Sequence, residues 1–254
     1  MTDSNRLMPG KRADAPDNDV PRPMAMSLVH ETVTKLLRDE PRGKVLDVPS
    51  GEGALARELM TLEHEVVCGD IEPSLFKLAG VPCHYLDLNK DLPFPEELFD
   101  FVVCVEGIEH LEDPHHLIRE VRRVLTPGGK LVLSTPNILS LKSRMHCLRL
   151  GYPIHFDLMV QREQKVGAEW TVKHLNPISF LELRYLLDEH RFRIIDMEVN
   201  KLERKHSLFY RLLEQFVVKK RLEDDSLNER SVRDTLNSRK LLFGEILIVK
   251  AQKV

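Results

Sequence analysis

Apolar and polar positions along this chain alternate in blocks that predict strand, helix, strand. Val45, Leu46 and Val48 form a short apolar run bounded by turn residues, as a buried strand would, and a helix is expected from Glu52 to Leu62 behind it. Asp70 and Asp87 are spaced to end the second and third strands, and Asp100–Val105 is the fourth. Asp113 is a natural N-cap with Pro114 at the first helical position. Leu117, Ile118, Val121, Val124 and Leu125 make one apolar stripe, and Thr126-Pro127-Gly128-Gly129 is expected to end that helix before a fifth strand at Lys130–Asn137. Upstream, Met26, Val29, Val33, Leu36 and Leu37 recur at helical spacing and Pro41-Arg42-Gly43 stops them. Such a helix either covers the sheet edge or serves as a lid over a ligand. Asn176-Pro177 caps a further helix with Phe180, Leu183, Leu186 and Leu187 on its apolar face, and strands follow at Phe192–Met197 and Leu242–Lys250.

Two stretches break the alternation. Residues 137–175 mix basic residues, aromatics and glycines where a ligand pocket of an open α/β sheet would be capped. Tyr152, His155, Phe156, Trp170 and His174 are either substrate contacts or the insertion's own core. Residues 200–240 form a charged excursion in which Phe209, Leu212, Leu213, Phe216 and Val217 share a helical face ending at Lys219-Lys220-Arg221. That face suits packing on the domain or a second subunit, or docking on a membrane surface. Residues 1–23 are polar and proline-rich and read as a tail, leaving 24–254 as one domain.

The chemistry concentrates after the first strand. Gly51 and Gly53 supply a tight turn and bare backbone that let a nucleoside lie against the following helix, whose first N–H groups point at it. Asp70 follows at about the 20 residues expected of a carboxylate that holds a ribose diol. Gly51-Glu52-Gly53-Ala54-Leu55-Ala56 also fits the dinucleotide fingerprint, so the turn alone leaves a nicotinamide cofactor open.

Composition narrows the class. The 254 residues, 42% of them hydrophobic, suffice for one sizeable α/β core, and a net charge of -3 gives no global pull toward nucleic acid. No run approaches the roughly 20 apolar residues of a spanning helix. Four cysteines without a C-x-x-C pair, three of them in or beside strands, fit reduced thiols of a cytoplasmic protein.

The stretch Asp47-Val48-Pro49-Ser50-Gly51-Glu52-Gly53, then Asp70, Asp87 and Glu106-Gly107-Ile108-Glu109-His110, resembles the class I S-adenosylmethionine-dependent methyltransferases, in particular the ubiquinone-biosynthesis O-methyltransferase-like branch, over roughly Val45 to Asn137. Pro49 stands where the family has its first glycine. The resemblance implies a Rossmann-like, seven-stranded, mostly parallel sheet whose last strand runs antiparallel, with helices on both faces and a substrate-cap insertion. It also implies S-adenosylmethionine as cofactor, bound at Asp47, Pro49, Ser50, Gly51 and Gly53, with Ser50 and Gly51 holding its methionine end and Asp70 its ribose. Ile71 would pack against adenine, Asp87 accept its amino group and Leu88 lie beside it. Glu106 and Gly107 would face the methionine part and the acceptor.

Methyl transfer needs alignment of the acceptor and, for a hydroxyl, removal of its proton. His110, just past the fourth strand, is the expected base, with Glu106 and Glu109 beside it. A loop histidine that merely orders its turn is the bland alternative. The Glu-x-x-Glu-His string, joined by His174 or His155, could also hold a divalent cation that ionises a hydroxyl, as the resemblance to small-RNA 2′-O-methyltransferases implies. The expected activity is O-methylation of a small-molecule or lipid-like acceptor. Metal-assisted RNA 2′-O-methylation, with Lys142, Arg144, Arg149, Arg162 and Lys165 supplying positive charge, is an alternative, and so is a non-catalytic adaptor. A homo-oligomer fits equally well.

Overall fold

The computed structural model describes residues 20–156, 174–202 and 235–254. Trp170, Arg162, Lys165 and the helical face at 209–217 lie outside the described residues. The elements in chain order are α1 (Val29–Leu37), β1 (Lys44–Asp47), α2 (Ala54–Thr61), β2 (Glu65–Asp70), β3 (Cys83–Tyr85), β4 (Phe99–Val105), α3 (Pro114–Val124), β5 (Leu125–Pro136), α4 (Leu141–Leu150), α5 (Phe180–Glu189), β6 (Phe192–Val199), a short α6 (Arg239–Phe243) and β7 (Ile246–Lys253), with 3-10 turns at Pro73–Leu75 and Ile108–His110.

The seven strands form one sheet in the order β3-β2-β1-β4-β5-β7-β6. β3, β2, β1, β4 and β5 pair in parallel, and β7 runs antiparallel to both β5 and β6, between them. Strand periodicity explains the two cores, because successive side chains point to opposite faces. Leu46, Val102, Leu131 and Leu133 face α3 and α5 and bury Leu117, Ile118, Leu183 and Leu187. Their neighbours Val45, Val103 and Val132 face α1 and α2 and bury Val33, Leu37, Leu55 and Leu59. A sheet covered on both faces reads as near-continuous apolar runs, which is the pattern of the sequence.

Local signals set the ends of the elements. Asp113 caps α3 by accepting the His116 N–H, with Pro114 at N1 as expected. Thr126–Gly129 does not stand apart as a stop: Leu125 already pairs with Phe99, and a register shift between Phe99 and Phe101 carries the segment into β5. α2 is shorter than its expected span, beginning after Gly53 in the left-handed conformation. Ser179, not Asn176, caps α5, its hydroxyl accepting the Glu182 N–H. The stretch after β5 contains a helix that no periodicity announced, α4, capped by Ser140 and ended by left-handed Gly151. Behind the sheet, Glu40 takes Lys250 at 2.5 Å and Lys130 as well, while Lys250 also donates to the Leu36 carbonyl.

Candidate active site

The carboxyl ends of β1, β2 and β4 meet around residues 47–53. Ser50 ties the turn down: its hydroxyl donates to the Asp47 carbonyl at 2.6 Å, and the Gly69 N–H donates to it at 2.9 Å. The Val48–Pro49 peptide bond is cis, and the Pro49 ring packs on Gly107 so closely that a Cβ there would lie 2.7 Å from Pro49 Cδ. The turns that follow β1 and β4 are therefore in direct contact.

Asp70 bridges from β2 to the turn. It accepts the Gly51 N–H at 2.8 Å and the Glu72 N–H at 2.9 Å. Asp47 is buried to 1% exposure, and among the described residues neither of its carboxylate oxygens has a hydrogen-bond partner. Burial first, and the nearby Asp70 carboxylate second, push its pKa up to about 8, against the pull of the Ala56 backbone. A buried carboxyl left without partners beside a glycine turn suits a cationic ligand group, and S-adenosylmethionine carries two, a sulfonium and an ammonium.

Ile71 is 52% exposed, an open apolar surface at the end of β2. Asp87 accepts the Asn89 N–H at 3.0 Å and pairs with Lys90 at 3.1 Å; although burial pulls its carboxyl up, these two hold it below its ordinary value. Leu88 is buried in the core beside Leu86. The glycine faces are not bare. A Cβ on Gly53 would meet Phe76 Cε2 at 2.7 Å, and one on Gly51 would meet Met24 Sδ at 2.9 Å.

Met24 belongs to a strap before α1 that the apolar pattern does not reveal. The Arg22 N–H donates to Glu52 at 2.9 Å, the Met26 N–H donates to Glu106 at 2.9 Å, and the Ser27 carbonyl accepts Asn200 Nδ2 at 3.1 Å. The strap runs from the glycine turn to the end of β4, so the segment leading into α1 lies across the carboxyl-end turns.

Glu106 leaves β4 with a φ of 48° and its N–H on the Ser134 hydroxyl. Burial, and then Glu245, raise its pKa, opposed by the Met26 N–H. Glu109 is fully buried, and among the described residues neither of its carboxylate oxygens has a hydrogen-bond partner; burial pushes its pKa up to about 8, with its own backbone pulling down and the Glu106 carboxylate adding to the rise. His110 stacks edge-on to His174, ring centroids 4.6 Å apart, and buried Phe156 backs His174 at 5.3 Å. One ligand atom from each of Glu109, His110 and His174 lies within 4.8 Å of the others, a spacing that a cation can bridge. Glu106 is not part of that cluster. Tyr152 packs on His146 of α4, and His155 lines an open cleft together with Asn137, Lys142, Phe243 and Glu245. That cleft opens beside the end of β5 and is lined by none of Glu106, Glu109 and His110.

Residues 46–133 match the family model for a methyltransferase domain. The chain is 38% identical to the ubiquinone biosynthesis O-methyltransferase of Xanthomonas oryzae pv. oryzae over 105 residues, 37% of this chain and 43% of that protein. It is 40% identical to the protein of the same name from Xanthomonas axonopodis pv. citri over 110 residues, 39% of this chain and 46% of that one. The chain thus spans less than half the length of these curated relatives. Among solved structures, a SAM-dependent methyltransferase from Archaeoglobus fulgidus superposes with a TM-score of 0.56 at 18% identity, covering 88% of this chain and 94% of that one. An S-adenosylmethionine-dependent methyltransferase from Mesorhizobium loti does so at 0.52 and 17%, covering 87% and 96%. These superpositions share the fold, and among the described residues no helix is long and apolar enough to cross a membrane. The family match thus lies over the glycine turn, Asp70, Asp87 and the Glu106–His110 turn, and the fold that carries them is one shared with solved methyltransferases.

Proposed function

We propose that this chain moves the methyl group of S-adenosylmethionine onto an oxygen of a small-molecule or lipid-like acceptor. The observation that carries this reading is the convergence of Glu109, His110 and His174 at the end of β4, beside the cofactor turn. When bound, the cofactor supplies a methyl on a positively charged sulfur, which leaves with the electron pair of the broken carbon–sulfur bond as the acceptor oxygen bonds to the methyl carbon. Asp47 and the Gly51–Gly53 turn would seat the methionine end, Asp70 the ribose, and Ile71, Asp87 and Leu88 the adenine. Glu106 and Gly107 would face the sulfur side. His110 would take the acceptor proton on a ring nitrogen, a task an imidazole performs near neutral pH.

A second reading is favoured by the burial of Glu109 and the spacing of its neighbours. Glu109, His110 and His174 would hold a divalent cation, whose charge lowers the pKa of a hydroxyl and orients it. In that case His110 would serve as a ligand instead of the base, and the cation would supply the charge that favours the ionised acceptor. Either acceptor class, a small-molecule hydroxyl or an RNA ribose, is compatible with that chemistry, and the O-methyltransferase names of the relatives favour the small molecule.

Calorimetric titration with S-adenosylhomocysteine, followed by turnover on an acceptor panel with magnesium or with EDTA, tests both readings. His110→Ala is expected to keep cofactor affinity within about twofold while cutting turnover by at least the 100-fold typical of a lost base. Unchanged turnover in that variant would remove His110 from the chemistry. EDTA sensitivity separates the cation reading from the simple base.

A further inference from the structure

The pairing of His110 with His174 is long-range, and the chain holds it with a specific device. The Leu175 and Asn176 N–H groups both donate to the Glu109 carbonyl, at 2.8 and 2.9 Å. From the same residue, Asn176 Nδ2 donates to the Leu111 carbonyl, a contact between positions 65 residues apart in sequence. Segment 174–176 is therefore stapled to the turn that contains His110, at Glu109 within the turn and at Leu111 just past it. Downstream, the Ile178 N–H donates to the Asn176 carbonyl, and Ile178 and Phe180 are buried in the main core. Upstream of it, Phe156 packs on the His174 ring. Read from sequence, Asn176 before Pro177 looks like a helix cap, but Ser179 takes that task and leaves the Asn176 side chain to the staple.

We propose that Asn176 is a positioning residue: its amide, with the two adjoining N–H groups, holds His174 against His110 and Glu109 so that the three can act on one ligand. The inference deepens the cation reading above and rests on it for its functional consequence. An amide is the right group for this task. It donates to a carbonyl without adding charge beside two imidazoles and a buried carboxyl, and its short arm fixes the backbone of its own segment. Groups that orient ligands in this way commonly matter to metal affinity by about 10- to 100-fold.

The full chain serves for the test, as Asn176→Ala against the parent. Two readouts separate the clamp from the cation reading. The first is a ring-proton NOE between His110 and His174 in histidine-labelled protein, assigned with His110→Ala and needing no metal. The second is Mn²⁺ affinity by electron paramagnetic resonance, alongside S-adenosylhomocysteine affinity by calorimetry. The parent is expected to show the NOE and bind one Mn²⁺. Asn176→Ala should lose the NOE and bind Mn²⁺ about tenfold or more weakly, with cofactor affinity within about twofold, a split that general loosening would not produce. Should Asn176→Ala fail to melt cooperatively, Asn176→Asp keeps the shape, exchanges the donor for an acceptor, and is expected to give the same losses. Retention of the NOE in the folded variant overturns the clamp. A parent that shows the NOE and binds no Mn²⁺ overturns the cation reading, and the NOE comparison then decides the clamp by itself.

Discussion

Asp47 gives the sharpest test, because its contribution to folding and its proposed contribution to cofactor binding have opposite signs. Its carboxyl ordinarily titrates at 3.8 and is pushed up to about 8 in the folded chain by burial and then by Asp70. The folded state therefore binds a proton that the unfolded state has released, and stability falls as pH rises from about 4 to about 8, by about 1.4 kcal/mol per pH unit for this one group. At pH 7 keeping Asp47 protonated costs about 4 kcal/mol relative to an unshifted carboxyl. Asp47→Asn removes that cost but leaves amide donors without partners, worth about 1–3 kcal/mol in the other direction. The variant without cofactor is thus expected to be more stable than the parent at pH 7, by roughly 1–3 kcal/mol. Its stability should fall less steeply with pH, by one proton's slope. Glu109, raised to about 8 by burial, keeps its own slope in both proteins. Urea unfolding at half-unit steps from pH 5 to 8.5 reads both effects, and calorimetry with S-adenosylhomocysteine should show weakened binding in the same variant. A variant that is destabilised and retains the parent's slope would refute the reasoning.

Two further predictions concern the frame of the site. Gly69→Ala would place a Cβ 2.0 Å from Leu86 Cδ1, so an overpacking cost of about 1–3 kcal/mol is expected in urea unfolding, largely relieved when Leu86→Ala is added. Equal costs in the presence and absence of Leu86 would mean that the clash is absorbed elsewhere. Glu40→Ala leaves Lys130 and Lys250 without their shared carboxylate at the back of the sheet, and a loss of about 3–5 kcal/mol is expected, against under 1 kcal/mol for the exposed Arg42–Glu63 pair. Comparable effects of the two deletions would show that the Glu40 cluster is no better desolvated than the surface.

The sheet was legible because each strand carries its message within itself. Val45 and Leu46, or Leu131 and Val132, need only alternate to build two cores, and Asp113-Pro114 announces α3 by local capping chemistry. The carboxyl-end turns were legible for the same reason, since glycines and strand-end aspartates are short-range signals. α4 was not, because only Leu141 and Ser143 of it are buried, too few to print a helical stripe on the sequence. The strap was not, because it is held by backbone N–H groups on Glu52 and Glu106, which any residue could donate. Asn176 was misread because one sequence feature, an asparagine before a proline, serves both a helix cap and a long-range staple. His174 was named as a candidate, but only the fold shows that it meets His110 and Glu109 and that His155 faces a different cleft.

The place of β7 has a consequence for how the chain comes to be folded. The last strand in sequence is sixth in the sheet, so β6 has no neighbour until Ile246–Lys253 arrives to pair with both it and β5. Until then the β5 ladder, from Lys130 to Pro136, is an open edge lined by Leu131 and Leu133, the kind of edge that recruits foreign strands. Closing it requires contacts between distant parts of the chain, which are slow to form. During synthesis the glycine turn and the first five strands emerge long before their sheet can be completed. The interval between the emergence of Pro136 and that of Ile246 is the period in which this protein most needs protection from aggregation.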